Sequence, residues 1–328
     1  MLAAVYGDSG DPTELRVREL ETPAPGPGEV RVKVAISGVN PTDWKSRKGV
    51  TKRIDAEPQE FQVPNQDGSG TIDAVGSDIS PNRIGERVWV LMAAHNRRWG
   101  TAAEYTVVPA AHAIPLPDVA SFELGASLGV PALTASYCLS ADGPLARQAV
   151  LISGGAGAVG HAAIELARFE EAGHVVATVS GEEKAELARK AGAQTVVNYR
   201  DDDAVEQIRG AVPSGINRFV EVALDHNIEL DIAVAAQDAV ITSYAASNES
   251  VAKVPVRQLM APNLTLRFML LYTVPARQLR DAIERTTEAL TAGALTTLPI
   301  HRFTLDQIAE AHDAVEQGAV GKVVIDLR

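Results

Sequence analysis

A glycine-rich turn between an apolar run and an apolar-periodic segment constrains this sequence most. Residues 149–153 (AVLIS) are typical of a buried strand, and Gly155, Gly157 and Gly160 then complete the pattern G-x-G-x-x-G. In such a turn the first glycine permits a sharp bend, the second lets a pyrophosphate approach the backbone, and the third lets helix and strand pack closely. Free N–H groups at the start of the helix then hold phosphate. The stretch therefore predicts a dinucleotide site.

The segments after the turn support this prediction. Strands are predicted at residues 174–179 and 195–199, and the helix between them, at 182–191, ends at Gly192, where a left-handed residue is expected. This β-α-β-α-β pattern is half of a dinucleotide-binding sheet. We prefer it to the alternative of a glycine-rich turn in an α/β domain that holds no nucleotide.

The end of the second of these strands indicates which dinucleotide is bound. Sites for NAD place Asp or Glu about 20 residues after the glycines, where it bonds the ribose 2′-hydroxyl. This chain has Ser180 there, with Lys184 one helical turn on and Tyr199 after the third strand. A hydroxyl accepts a 2′-phosphate that a carboxylate would repel, so NADPH is predicted over NADH. Ser180 also fits a capping box with Glu183, which is the alternative explanation for this serine. Glu182 and Glu183 weaken the prediction of NADPH, because they place negative charge near the proposed 2′-phosphate.

Composition limits the remaining classes of function. At 328 residues the chain is expected to form about two domains. The net charge of −12 opposes binding to nucleic acid and to anionic membranes. The single cysteine, Cys138, excludes an internal disulfide and a cysteine-based zinc cluster. Early acidic residues interrupt any signal peptide and no apolar run reaches the length of a membrane span, so a cytoplasmic protein is expected.

The segments on either side of the glycine turn predict further elements. Short strands between proline and glycine clusters predict a compact β-barrel-like domain before residue 120; they are expected at 2–6, 15–19, 29–36, 69–75, 87–91 and 103–107. The sheet after residue 199 is expected to continue with strands at 218–224, 239–244 and 264–271 and a helix near 228–237. Two more helices follow, the second capped by Thr304, and a strand at 322–327 is expected to pair back into the N-terminal domain.

Several short motifs also occur in a defined order along the whole chain. They are residues 38–45 (GVNPTDWK), 68–72 (GSGTI), 84–89 (IGERVW), 100–105 (GTAAEY), 133–135 (LTA), the glycine turn, 192–193 before 198–199, and 321–324 (GKVV). Their order and spacing resemble the medium-chain dehydrogenase/reductase superfamily, specifically its zinc-free quinone oxidoreductase (zeta-crystallin-like) branch.

This resemblance implies an α/β fold in which a GroES-like β-barrel catalytic domain accompanies a Rossmann doubly wound parallel sheet, with NADPH in the cleft between them. The expected segments are a GroES-like domain at 1–120, an NADPH-binding domain at 121–264, and residues 265–328 carrying an interface strand, helices and the return to the catalytic domain. The resemblance also implies a homodimer paired through the sixth strand, here the apolar stretch 264–271, although simple burial would also explain that stretch.

Metal chemistry is not expected. The zinc branch of the superfamily has a cysteine where this chain has Asn40 and a histidine near residue 66, where this chain reads Asn65-Gln66-Asp67. A catalytic zinc site needs three protein ligands, and the seven histidines show no ligand spacing. Without a Lewis acid, reduction of a quinone, or of an alkene conjugated to a carbonyl, is favoured over simple alcohol oxidation.

The negative charge that builds on the acceptor oxygen during hydride transfer needs a hydrogen-bond donor. Asn40 is the first candidate, although Asn-Pro also starts turns, and Lys45 is the second, against the alternative of a solvated lysine. Asp43 is expected to bond backbone amides. The substrate pocket depends on the loops at 48–64 and 95–99, and the candidate substrate contacts are Trp44, Met92, Trp99 and Tyr272.

Cofactor contacts are carried over from the resemblance by position. Thr134 is expected beside the nicotinamide amide. Family members often have a glycine near the end of the fourth strand, where this chain has residues 225–227, so the resemblance does not determine which residues contact the adenine. The expected set is Asn40, Thr134, Gly155, Gly157, Ala158, Val159, Ser180, Lys184, Tyr199, Ala223, Leu224, Asp225, Ser243, Tyr244, Ala245, Phe268, Met269, Leu270, Gly321 and Lys322.

The leading prediction is an NADPH-dependent, zinc-independent reductase that transfers a hydride to a small-molecule quinone or to an alkene conjugated to a carbonyl. A pathway-specific enoyl reductase, acting for example on a polyketide intermediate, is the alternative within the enzyme class. Two further hypotheses are a relative that binds NADPH without catalysis and a ketoreductase that uses an unrecognised acid.

Overall fold

The computed structural model describes residues 1–50, 60–246 and 251–328, and these form two compact units. The first unit comprises Met1–Val130 and Thr297–Arg328, and the second is Pro131–Thr296. The units thus divide at residues 130 and 296, where the sequence placed boundaries at 120 and 264, because the sixth strand of the second sheet and the long helix after it pack within the second unit. Residues 51–59 of the expected pocket loop lie outside the described residues.

The strands of the described residues are numbered in chain order. They are β1 Leu2–Val5, β2 Arg16–Glu19, β3 Glu29–Gly38, β4 Asp67–Val75, β5 Arg87–Val90, β6 Tyr105–Pro109, β7 Ala113–Pro115, β8 Ala149–Ser153, β9 His174–Val179, β10 Thr195–Asn198, β11 Ile216–Glu221, β12 Ala235–Ser243, β13 Thr265–Phe268, β14 Ile300–Thr304 and β15 Lys322–Asp326.

The α-helices are numbered in the same way. They are α1 Pro41–Arg47, α2 Phe122–Gly125, α3 Gly129–Ser140, α4 Ala158–Phe169, α5 Glu182–Ala191, α6 Ala204–Ala211, α7 Leu224–Val234, α8 Val256–Met260, α9 Ala276–Thr291 and α10 Ile308–Glu316. Short 3₁₀ turns lie at Pro12–Glu14, Pro81–Arg83, Ala110–His112, Leu271–Thr273 and Leu305–Gln307.

The first unit contains a seven-stranded sheet in which β3 is the central strand. The order is β14-β15-β3-β4-β5-β7, with β6 also paired to β3. The antiparallel pairing of β15 with β3, which places Val324 opposite Gly38, confirms that the closing strand returns to the N-terminal part of the chain. The sequence did not predict β7, which has three residues, or β14, whose exposed His301 and Arg302 interrupt any alternation.

The second unit contains a six-stranded sheet in the order β10-β9-β8-β11-β12-β13, with every pair parallel. This doubly wound order confirms the predicted parallel sheet, and the order reverses between β8 and β11, where such sheets bind ligands. The strand bounds differ from those predicted. Residues 222–224 were expected in the fourth strand, but residues 222 and 223 form the turn into α7 and Leu224 begins that helix. The fifth strand begins at Ala235 rather than Ala239.

The sixth strand, β13, is shorter than the predicted stretch 264–271. It ends at Phe268, and the side chains of Phe268 and Leu270 are exposed. Apolar character alone set the predicted length, and it did not locate the point where pairing with β12 ends. Helix α6 was also not predicted, although its apolar residues 204, 208 and 211 have helical spacing after the acidic run 201–203.

The glycine turn has the predicted strand, bend and helix, but its bend lies one residue earlier. The left-handed residue is Gly154, with φ of 71°, rather than the first glycine of the motif. At Gly155 a Cβ atom would lie 2.8 Å from the Cβ of Ala177, and at Gly160 one would lie 2.2 Å from the carbonyl oxygen of Gly154. Close packing around the start of helix α4 therefore requires both glycines, whereas a Cβ at Gly157 would meet only the Gly154 carbonyl oxygen, at 3.3 Å.

We expect Gly160→Ala to lower the free energy of unfolding by about 1–3 kcal/mol, because its methyl group overlaps backbone that has no room to move. The matched control is Gly210→Ala in helix α6, where a Cβ meets nothing within 4 Å and alanine should stabilise the helix by about 0.5–1 kcal/mol. Urea unfolding followed by circular dichroism compares the two. Equal stability of the Gly160 variant and the native chain would contradict the packing argument.

Candidate functional site

The predicted cofactor contacts of the second unit follow the carboxyl ends of parallel strands, so they lie along one edge of the sheet. Ser153 ends β8 directly before the glycine turn, Ser180 follows β9, and Tyr199 follows β10. The remaining strand-end positions are residues 223–225 after β11, residues 243–245 at the end of β12, and residues 268–270 at the end of β13. Thr134 lies buried within helix α3, and Tyr272 lies in a 3₁₀ turn.

The start of helix α4 has the geometry of an anion site. Gly157 is its exposed N-cap residue, and a Cβ there would meet only the carbonyl oxygen of Gly154 at 3.3 Å. Ala158 and Val159 are half-buried first residues of the helix, and the N–H groups of a first turn have no acceptor within the helix. These N–H groups and the positive end of the helix dipole fit a phosphate or pyrophosphate.

The end of β9 holds a hydroxyl and an ammonium in contact. The Lys184 Nζ donates to the Ser180 Oγ at 3.0 Å. The predicted capping box at Ser180 is wrong, because helix α5 begins at Glu182 with Gly181 at its N-cap. The carboxylate of Glu182, which weakened the prediction of a phosphate here, forms an ion pair with Arg189 at 2.5 Å. The side chain of Tyr199 is 41% exposed.

A buried carboxylate that the sequence did not predict joins the ends of β8 and β11. Glu221 accepts hydrogen bonds from the Ser153 hydroxyl, from the Ala223 N–H and from the Asn227 amide nitrogen. Asp231 of α7 is buried near it, and burial, together with the Glu221 carboxylate, raises the pKa of Asp231 well above its usual range. Neither carboxyl oxygen of Asp231 has a hydrogen-bond partner among the described residues.

In the first unit, Asn40 caps helix α1. Its backbone N–H donates to the Asp43 Oδ2 at 2.7 Å, and the Asp43 Oδ1 accepts from the Gln66 N–H at 3.1 Å. These bonds confirm that Asp43 bonds backbone amides, and they hold the segment after β3 against the segment before β4. The Asn-Pro pair thus starts a helix, where the sequence predicted only a turn.

Strand register brings the Asn40 side chain between two opposite charges. Because Val324 pairs with Gly38 in antiparallel strands, position 322 lies opposite position 40, and Asp67 pairs with Gly38 from the other side. The Lys322 Nζ donates to the Asn40 Oδ1 at 2.7 Å, and the Asn40 Nδ2 donates to the Asp67 Oδ2 at 2.7 Å. The carboxamide therefore bridges the ammonium and the carboxylate.

All three side chains of this amide bridge (Asn40, Asp67 and Lys322) are buried. Asp67 also accepts the Val130 N–H at 2.9 Å, and Lys322 also donates to the Val39 carbonyl at 3.3 Å. Burial raises the pKa of Asp67 to about 6, against the opposing effects of Lys322 and of its hydrogen bonds. Burial also raises the pKa of Asp43 and lowers the pKa of Lys322.

A second set of buried polar groups supports the loop before Asp67. The His312 ring bonds the Asn65 Oδ1 at 2.9 Å, and the Asn65 Nδ2 donates to the Ser37 Oγ at 2.9 Å. Ser37 contacts the Thr101 hydroxyl at 2.8 Å, and Thr101 donates to the Asp67 carbonyl at 2.5 Å. Burial, with the nearby Arg47 charge, lowers the pKa of His312 to about 3, so its ring is neutral and acts as a support.

The structure also places the remaining site residues that were predicted in the first unit. Lys45 lies over the ring of Trp44, with its Nζ 5.8 Å from the ring centre. Met92 is buried at a positive φ of 53°, and Trp99 packs edge-on against Phe61 with ring centres 6.0 Å apart. Gly321 precedes Lys322 at a φ of 132°, where a Cβ would lie 2.4 Å from the Pro299 carbonyl oxygen.

The described residues contain neither a metal-binding cluster nor a membrane-spanning helix. Among residues 1–50, 60–246 and 251–328, no group of three or more His, Cys, Asp and Glu side chains is placed to hold a metal ion. In the same part of the chain, no helix combines the length and the apolar character that crossing a bilayer requires.

Comparisons with known proteins match both units. Residues 26–118 match the family model for the alcohol dehydrogenase GroES-like domain, and residues 158–288 match that for zinc-binding dehydrogenases. The quinone oxidoreductase of Lama guanicoe is 27% identical over 336 residues, which cover 100% of this chain and 98% of that relative.

Two solved structures share the fold over the whole chain. An NAD-dependent alcohol dehydrogenase superposes with a TM-score of 0.87 at 26% identity, covering 100% of both chains. A mycobacterial protein solved in complex with NADPH superposes with a TM-score of 0.84 at 28% identity, covering 99% of both chains.

We expect Asp231→Asn to be more stable than the native chain at pH 7–8, with a difference that grows as pH rises from about 4. The unfolded chain ionises Asp231 from that pH upward, while the folded chain keeps it protonated because its pKa is raised. The native chain therefore loses stability over this range, and asparagine, which cannot ionise, does not. Urea unfolding at pH 5, 7 and 8 measures the difference. The exposed Asp202→Asn should follow the native chain, and a less stable Asp231 variant at pH 8 would contradict the raised pKa of Asp231.

Proposed function

Because this chain belongs to the medium-chain dehydrogenase/reductase superfamily, in its quinone oxidoreductase branch, we propose that it is an NADPH-dependent, zinc-independent reductase of a quinone or of an alkene conjugated to a carbonyl. The observation that carries the proposal is the second unit's sheet edge, where an open helix start and a hydroxyl–ammonium pair are about 20 residues apart in sequence.

The residues present fit NADPH. The N–H groups of Ala158 and Val159 would hold its pyrophosphate, since Gly157 leaves the approach open. Ser180 and Lys184 would hold its 2′-phosphate, with the exposed Tyr199 as a third contact. No carboxylate follows β9 directly to bond a 2′-hydroxyl, which favours NADPH over NADH. When bound, NADPH supplies a hydride.

The chain's own contribution to the reaction is to position the acceptor and to stabilise negative charge on its oxygen. We assign the donor of that hydrogen bond to Asn40, which is buried among groups of fixed charge. Lys45 is a weaker candidate, since its ammonium lies over Trp44. The zinc-free character is supported by the residues at positions 40 and 66, an asparagine and a glutamine, which are poor zinc ligands.

We further propose that two copies pair through β13. This strand pairs only with β12 among the described residues, so its outer edge has free hydrogen-bonding groups. The exposed apolar side chains Phe268 and Leu270 lie beside this edge. The sequence-based expectation of a cytoplasmic location is retained as a prediction.

The reductase proposal is tested with purified protein, NADPH or NADH, and a panel of quinones, enones, ketones and alcohols. We expect NADPH oxidation with quinones or enones, and we expect Lys184→Ala to raise the KM for NADPH about tenfold to a hundredfold through loss of a charge-assisted contact. The KM for NADH should change little, because NADH has no 2′-phosphate.

The matched control for this experiment is Lys190→Ala, which removes an exposed lysine from the same helix. The 2′-phosphate assignment would be contradicted if Lys184→Ala and Lys190→Ala raised the KM for NADPH equally. It would also be contradicted if Lys184→Ala raised the KM for NADH as much as the KM for NADPH. A broad acceptor range supports a general reductase, and a single enoyl substrate supports the pathway-specific alternative. NADPH binding without turnover of any acceptor would overturn the enzymatic proposal.

We expect Phe268→Asp to convert a dimer into a monomer, because a carboxylate would be buried without a partner at the paired edge. Light scattering after gel filtration measures the mass. The control is Val119→Asp, which places the same charge on an exposed apolar residue of the first unit, where Val119 is 80% exposed. A monomeric native protein, or a dimeric Phe268 variant, would contradict pairing through β13.

A further inference from the structure

The orientation of the Asn40 carboxamide is determined by charge. Its oxygen faces the Lys322 ammonium and its nitrogen faces the Asp67 carboxylate, each at 2.7 Å. The reverse orientation would place the NH₂ group against an ammonium and the amide oxygen against a carboxylate, which is repulsive at both ends.

This arrangement leaves one N–H group of Asn40 unused. A carboxamide nitrogen carries two N–H groups, and within the described part of the chain the only acceptor of Nδ2 is Asp67. The second N–H is therefore available to another acceptor. The ammonium at the amide oxygen draws electrons along the C–N bond and strengthens this donor, as hydrogen bonds in a chain polarise one another.

The two charged groups are themselves held in place. Asp67 is fixed by the Val130 N–H as well as by Asn40. Its backbone carbonyl accepts from Thr101, at the end of the buried set that begins at His312. Lys322 is the first residue of β15 and lies opposite Asn40 in the register of β15 with β3.

We infer that Asp67 and Lys322 are positioning residues, which fix the Asn40 carboxamide so that its free N–H donates to the acceptor oxygen as charge develops there. This inference rests on the proposed reductase function. In the proposed reaction, a hydride supplied by bound NADPH would form a C–H bond on the acceptor or, for a quinone, an O–H bond. The electron pair displaced by this bond would move to the acceptor oxygen, and the cofactor would be left oxidised. Water then protonates that product. Asp67 and Lys322 neither gain nor lose a proton in this sequence.

The first test reads the amide directly. In ¹⁵N-labelled protein the side-chain NH₂ signals of Asn40 are assigned by their loss in Asn40→Ala. We expect one proton of the pair to be shifted downfield by the carboxylate in the native protein and to lose that shift in Asp67→Asn. We also expect a titration of this signal near pH 6, the pKa of Asp67, that is absent from the variant. A separate step near pH 8 would come from the neighbouring Asp43, which bonds the Asn40 backbone N–H and whose pKa is raised to about 8 by burial and by the Asp67 charge. Unchanged Asn40 signals in Asp67→Asn would overturn the inference.

The second test reads catalysis. We expect Asp67→Asn to lower kcat about 10-fold to 100-fold, less than a deleted donor would, with the KM for NADPH unchanged, and to abolish a fall in kcat below about pH 6. The control is Asp73→Asn on the same strand, which breaks the half-buried ion pair with Arg31 and should leave kcat and its pH profile as in the native protein. Altered Asn40 signals with native kcat would show that the orientation has no catalytic consequence, and would also overturn the inference.

A third variant guards against unfolding. Asp67→Asn leaves the Lys322 ammonium buried without its carboxylate, so Asp67→Asn/Lys322→Met removes both charges together, which buried pairs tolerate better. The double variant should show the same loss of the downfield proton and the same fall in kcat. A native protein that oxidises no NADPH would refute the reductase function, and the Asn40 signals would still decide whether the two charges fix the amide.

Discussion

A buried amide that joins an ammonium to a carboxylate is the interaction on which the first unit depends. Lys322, Asn40 and Asp67 come from three segments that meet at the end of β3: the start of β15, the N-cap of α1 and the start of β4. A buried charge without a partner costs several kcal/mol. The start of β15, the N-cap of α1 and the start of β4 therefore have to lie beside one another. Strand register, helix start and charge compensation are therefore one constraint.

The second unit could be predicted from the sequence more closely than the first. Strands β8 and β9 are buried on both faces, so they appear as nearly unbroken apolar runs. Helix α5 has the predicted bounds, 182–191, with Gly192 left-handed at a φ of 107°. Where the apolar signal continued past the end of pairing, as at residues 264–271, the prediction was too long. The short strand β7 and the exposed strand β14 carry no periodic signal and were missed. Helix α6 was missed although its apolar residues 204, 208 and 211 have helical spacing.

The candidate site shows what sequence reasoning lacks. Asn40 and Lys322 were both identified, but through resemblance and for separate roles, and nothing in the sequence indicated that they touch. Their contact depends on a register between strands nearly the whole chain apart. Asp67 and Glu221 were missed for the same reason, since a carboxylate next to a strand gives no sign of being buried. Ser180 was correctly placed at a strand end, yet its hydroxyl contacts Lys184 rather than capping the helix.

The discontinuity of the first unit has a consequence for synthesis on the ribosome. Residues 131–296 form a compact body by themselves and emerge before β14 and β15 exist. Throughout that interval the nascent N-terminal part holds the Asp67 carboxylate while its counter-ion is still untranslated. Burial of Asp67 is therefore unfavourable until Lys322 has been synthesised, and the end of β3 is expected to stay hydrated until then. The first unit is completed only when β15 brings this positive charge.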